Sequence, residues 1–289
     1  MIVTHLSFIM GDQGIDEYDS TIDIDADDVL IDHCTAVSST EENIGIPTTV
    51  TRSSIINTVI AEGLFDHDLH DDLRARGLLI NSENSSDIVN IGCLYAHNNR
   101  RHPLARGELL IANNYIYNYT HKPEEGSGGS GNIIPCLDNP TITAKGLHFR
   151  EGAGTPSDYD REIFSHGGYL YAADIERPDR HPLTDGSFTM LNSPPIVPSG
   201  LDMENDIHPS EGVPEYVCAN TGPRPANRPP YEDDLITNRL QEPYDLIDSQ
   251  NDVGGYPDYT PTSRTLDIPS TGIVDWIKSE YTALAEGTK

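Results

Sequence analysis

The feature that most constrains this chain is a recurrence. Short runs of β-branched and aliphatic residues return at intervals of roughly 20 residues, a period typical of stacked solenoid coils. They include Thr21–Ile24, Val29–Asp32, Thr48–Thr51, Leu78–Asn81, Ile88–Gly92, Leu109–Ala112 and Thr141–Thr143. Helical periodicity is absent from residues 1–150. Asparagine recurs just after the apolar runs, at Asn57, Asn98, Asn113, Asn114 and Asn118. In stacked coils such amides can bond the next coil about 4.8 Å away. The alternative is a β-sandwich with polar turns; the irregular intervals and scarce hairpin dipeptides count against it.

The second half reads differently. Residues 121–135 form a Gly/Ser-rich loop, and residues 150–230 are rich in Pro, Asp and Gly, with one strand-like run at Gly168–Ala173. This predicts a long ordered wrapping segment. Ile273, Trp276, Ile277, Tyr281 and Leu284 recur at helical spacing behind Thr271, which predicts an amphipathic helix on the outside of the solenoid or over its last coil. The chain is one structural domain on this reading: coils over 1–150, then last coils, loops and tail over 151–289.

Charge narrows the setting. The 289 residues carry 47 acidic and 18 basic side chains, a net charge of −29, and the acids are spread along the whole chain. Such a surface repels itself in dilute buffer and is screened in molar salt. It predicts a halophile protein, with an ordinary acidic extracellular protein as the alternative, and it excludes nucleic acid as a partner. No apolar run is long enough for a transmembrane segment. No signal peptide is visible at Met1. Of the four cysteines, Cys34 and Cys93 read as small core residues, Cys136 and Cys218 as a possible pair, and their spacing matches no zinc motif.

Two stretches resemble the pectate lyase superfamily. The first runs from about His5 to Tyr119. In it, DVLIDHCTAVSSTEENIGI (28–46) is similar to the family's strand-and-turn segment, and SIINTVIAEGL (54–64) to the next coil. CLYAHNNRRHPLARGELLIANNYIYNY (93–119) carries an Arg-x-Pro-x-x-Arg motif as Arg101, Pro103 and Arg106. The second stretch, GVPEYVCANTGPRPANR (212–228) with IDSQNDVGGYPDY (247–259), is similar to the C-terminal tail of one branch. Order and spacing together carry the resemblance, which covers about half the chain. It implies an all-β fold, a right-handed parallel β-helix. Family members have several coils before the equivalent of Met1.

The resemblance also implies a chemistry, Ca²⁺-dependent β-elimination in uronate-containing glycans. Asp19 and Glu41 match two calcium carboxylates, 22 residues apart, so that they project from adjacent coils. The third falls at Gly45, with Glu42 as its substitute. Arg101 matches the catalytic base, Arg106 the arginine that grips the uronate carboxylate, and Arg76 the substrate-binding lysine. An arginine base requires a strongly perturbed guanidinium, since its ordinary pKa exceeds about 12. The plainer reading of these arginines is pairing with local acids such as Glu108. His33 reads as a ladder histidine, and DHDLHDD (66–72) as either a metal loop through His67, Asp68, His70 and Asp71 or a run of salt-adapted acids. The expected partner is an acidic polysaccharide or surface glycan, in an extracellular, virion or cell-surface setting. A non-catalytic glycan-binding or structural β-helix is the competing reading. Residues 1–10 are apolar and strand-like, so another chain or a second copy is expected to cover that end.

Overall fold

The computed structural model of the chain describes residues 1–13, 19–66, 74–120, 132–241, 244–257 and 269–287. Its body is all-β, and every strand pairing is parallel. One column pairs β1 (Ile2–Thr4), β4 (Leu30–Asp32), β7 (Thr51–Ile56), β10 (Ser86–Ile91), β12 (Glu108–Ala112) and β15 (Thr141–Arg150) in that order. A second pairs β2 (Ser7–Ile9), β5 (Thr35–Val37), β8 (Val59–Ala61), β11 (Leu94–Ala96) and β13 (Tyr115–Tyr117), and it too ends on β15. The two columns thus form one 13-stranded sheet, completed by β17 (Gly168–Glu176) and β18 (Phe188–Met190), with β1, β2 and β18 as its terminal strands among the described residues. A separate column holds β3 (Ile22–Asp23), β6 (Glu42–Ile46) and β9 (Arg76–Ile80). Bridges at Arg76↔Arg100, Leu79↔Leu104 and Ala105↔Cys136 carry it toward the pair β14 (Ile134–Pro135) and β16 (Phe164–Ser165).

The register explains the recurrence in the sequence. Ser53, Ile88, Leu109, Ile142 and Leu170 align across β7, β10, β12, β15 and β17, and all are buried. Alternate residues point the other way. On the second column these are Val59, Ala61, Leu94, Ala96, Tyr115 and Tyr117, covered by Val213, Val217, Tyr231, Leu235 and Ile236. Those strands are therefore buried on both faces and read as unbroken apolar runs. On the first column, Val89, Leu110 and Ala112 lie under Ile196, Met203 and Ile207.

Corners are made by residues with left-handed backbone. Between the first and second columns stand His5, His33, Asn57, Gly92 and Asn113, with φ from 45° to 68°. Histidine and asparagine tolerate this region better than β-branched residues do. This is why asparagine follows the apolar runs. Amide bonds also cross between tiers, Asn114 Nδ2 donating to Asn90 Oδ1 at 2.6 Å and Asn43 Nδ2 to Asn98 Oδ1 at 3.0 Å. His33 stacks on His5 with ring centroids 5.1 Å apart, as a ladder histidine should.

All four cysteines are free. Cys34, Thr58, Cys93 and Asn114 each precede a strand of the second column. Thr58 thus separates the two thiols by two strand spacings, about 9.6 Å and beyond disulfide reach. The pairing of Cys136 with Cys218 is likewise not formed.

The wrapping segment contains helices that the sequence reading missed: α1 (Val213–Asn220) and α2 (Pro230–Asp234), the latter continuing into a wider turn over Leu235–Arg239. They dock through a buried group. Glu62 Oε1 accepts from Arg239 Nε at 2.6 Å and Oε2 from Arg239 Nη2 at 3.2 Å, while Tyr231 Oη also donates to Glu62. The expected C-terminal helix, α3 (Ile273–Ala285), forms, but not over the last tier. It lies at the opposite end, where Tyr281 Oη donates to Asp32 Oδ2 at 2.8 Å and its ring meets His5 edge-on. No helix among the described residues is long and apolar enough to cross a membrane.

Candidate functional site

The column of β3, β6 and β9 gathers most of the residues singled out above. Asp19 and Glu41 are neighbours across tiers, the Glu41 amide donating to the Asp19 carbonyl at 3.0 Å. The adjacency read from their spacing is present. Gly45 has no side chain, and the space where its Cβ would stand lies 2.3 Å from Asp23 Oδ1. The Asp23 carboxylate from the preceding tier thus fills the place beside Gly45, a role the sequence reading did not assign. Burial pushes the Asp23 carboxyl up, against a hydrogen bond from Ser20, and the charges of Asp19, Glu41 and Asp25 add to the rise. Three hard oxygen-bearing groups therefore sense one another here, which is the chemistry Ca²⁺ prefers. They are not drawn together as a coordination shell: among the described residues no group of three such side chains is close enough to hold a metal ion.

The arginines lie one tier further on. Arg76 opens β9, Arg74 stands just before it, and Arg101 belongs to the following tier, where the Leu78 amide donates to the Arg101 carbonyl at 2.9 Å. Gly77 permits this approach, since a Cβ there would come within 2.4 Å of the Arg101 carbonyl oxygen. Glu41 Oε1 lies 3.3 Å from Arg74 Nη1 and 3.2 Å from Arg76 Nη1. Glu42 Oε1 lies 3.6 Å from Arg76 Nη1 and in direct ion-pair contact with Arg101 Nη1. Glu42 is buried beneath these guanidinium groups. The structure therefore places Glu42 with the arginines rather than beside Asp19 and Asp23.

Arg106 makes its contacts elsewhere. Its Nε pairs with Asp138 Oδ2 at 3.0 Å, and its Nη1 donates to the carbonyl and the side chain of Asn81 at 2.9 and 3.0 Å. The acid that pairs with it is thus Asp138, not Glu108. The result is a strip along one column: carboxylates of Asp19, Asp23 and Glu41, then the guanidinium groups of Arg74, Arg76 and Arg101 around Glu42, with Arg106 engaged separately. Such a strip can bind carboxylates through forked hydrogen bonds. Arg74 and Asp23 were not singled out from the sequence, although Asp23 lies within the run Thr21–Ile24 and Arg74 two residues before β9. His67, His70, Asp68 and Asp71 fall outside the described residues. No protein-family model matches this chain, and no curated protein matches it at a significant level.

Proposed function

We propose that this chain is a right-handed parallel β-helix of the pectate lyase kind, adapted to high salt, that cleaves uronate-containing glycans by Ca²⁺-dependent β-elimination. The observation that carries the reading is the strip on β3, β6 and β9. It sets Glu41 one tier from Arg76 and Asp19 one tier before Glu41, which supports the reading.

In this reading Arg101 removes the C5 proton of the uronate, and the C4–O bond then breaks to leave an unsaturated sugar. Arg76 holds the substrate carboxylate, while Arg106, to which the resemblance gives the same role, is engaged with Asp138 and Asn81. Asp19, Asp23 and Glu41 hold the metal, which when bound neutralises negative charge on the substrate. Asp23 replaces Glu42 in that set, because its carboxylate fills the space beside Gly45. The test is incubation with polygalacturonate and Ca²⁺ at molar salt, following the ultraviolet absorbance of unsaturated uronate products. No absorbance change, with binding intact, excludes the lyase.

A second reading is favoured by one contact. Glu42 neutralises Arg101, and a guanidinium held by a carboxylate is harder to deprotonate. A glycan-binding β-helix without catalysis, on a virion or cell surface, accommodates that pair directly. The end carrying β1 and β2, expected to be covered by another chain or a second copy, is met by the chain's own α3. Of its large apolar side chains only Met1, Ile2 and Leu6 stay exposed there for a further polypeptide segment.

A further inference from the structure

Glu42 has an unusual place for an acid in so acidic a chain. Its side chain is 3% exposed, and it stands where β6 begins, facing guanidinium groups from two successive tiers. A uronate carboxylate would be recognised by the same forked donors. We propose that Glu42 is an internal competitor: its carboxylate occupies the anion position of the Arg76–Arg101 pair, and a uronate carboxylate enters only when Arg101 leaves Glu42. The inference rests on the second reading above, glycan binding without catalysis, in which Arg101 binds a carboxylate and does not act as a base, and it adds to that reading the element that sets affinity.

The two arginines differ in exposure and in backbone setting, which points to Arg101 as the one that moves. Arg76 is 7% exposed, lies within β9, and contacts both Glu41 and Glu42. Arg101 is 19% exposed, lies outside any strand, and has a left-handed backbone with φ of 67°. When Arg101 swings out, Glu42 keeps Arg76 within 3.6 Å, so the movement does not strand a buried charge. Binding is then weakened by the fraction of molecules in which Arg101 is released. Because Glu42 is an acid held in place by the fold, it discriminates against ligands that cannot out-compete a carboxylate. Neutral sugars gain nothing at this position.

The experiment is calorimetric titration of the full chain, at fixed salt and Ca²⁺, with an oligogalacturonate and separately with acetate. Glu42→Gln is expected to bind oligogalacturonate about tenfold more tightly than the unaltered chain. Glu42→Asp, which withdraws the carboxylate by one methylene yet keeps the buried charge, should show a smaller gain and covers the case in which the glutamine variant does not fold. The gain should vanish when Arg101→Gln is added. Equal or weaker binding of both probes by a folded variant overturns the proposal. Tighter acetate binding with no oligogalacturonate binding by either protein upholds the competition by Glu42 and overturns the glycan reading instead.

Discussion

Glu62 meets Arg239 beneath the helices of the wrapping segment, and Glu42 meets Arg101 on the column of β6 and β9. Both are buried glutamates holding arginines, but their surroundings differ. The Arg239 side chain is 3% exposed, forks onto both oxygens of Glu62, and lies over the Tyr231 ring at 4.7 Å. Arg101 is in ion-pair contact with Glu42 and keeps a fifth of its side chain in solvent. A sealed, forked pair leaves an uncompensated charge if either partner goes, so it fastens the wrapping segment to the second column. An open pair can exchange its partner for a ligand. On the proposed reading the same two residue types serve cohesion in one place and recognition in the other, and solvent access decides which.

The sharpest way to break this comparison is to truncate both arginines. Arg239→Ala should cost about 3–5 kcal/mol, since Glu62 has 0% exposure and loses both of its forked bonds. Chemical denaturation measures it, and a cost equal to that of Arg101→Ala would erase the distinction.

Acid should act next, through one buried histidine near Glu62 and one beside Arg101. His97 is held down to about 4 by burial, offset only in part by Glu62, and its Nδ1 takes a hydrogen bond from Asn118 at 2.7 Å. His102 is also held down to about 4 by burial. Both are neutral when folded and take up protons near the ordinary 6.5 when unfolded. The unfolded chain therefore binds more protons between these values. Stability is full above pH 6.5 and falls as the pH drops toward 4, by up to about 3 kcal/mol for each histidine. Denaturation midpoints across that range check the slope; a flat profile would contradict it.

Arg101→Ala should cost about 1–2 kcal/mol, because Arg76 remains beside Glu42, while any elimination activity is lost. A folded variant that still forms unsaturated product would remove Arg101 from the chemistry. Arg106→Ala should be smallest, below about 0.5 kcal/mol in dilute buffer and nearly nil at molar salt. The unaltered chain, by contrast, should melt higher in molar salt because its charge of −29 is screened.

Much of the strand pattern was legible because each tier repeats one physical problem. Ile31, Ile55, Ile88 and Leu109 each fill the same interior, so apolar runs recur, and left-handed corners draw in Asn57 and Asn113. The run at Thr48–Thr51 was displaced: β7 begins only at Thr51, since Thr48 and Thr49 are exposed in the turn before it. The helix at Val213–Asn220 went unread because its apolar positions, Val213 and Val217, are too few to give a period of their own. Its burial is decided by β5, β8 and β11, far away in sequence. In the candidate site, the proximity of Asp19 and Glu41 follows from tier length. The pairing of Glu42 with Arg101 does not, because it depends on which way two long side chains turn.

The unpaired thiols have a use of their own. Burial pushes Cys93 up to about 12 and raises Cys34 and Cys136 as well, so a closed molecule presents almost no thiolate to an alkylating reagent. Cys34 sits beside the β1–β2 edge, Cys93 two strands further in, and Cys136 in the bridge that leads to β14. The protein therefore carries three native clocks along its length. The order in which they are labelled reads out the direction in which the tiers come apart, with no engineered probe required.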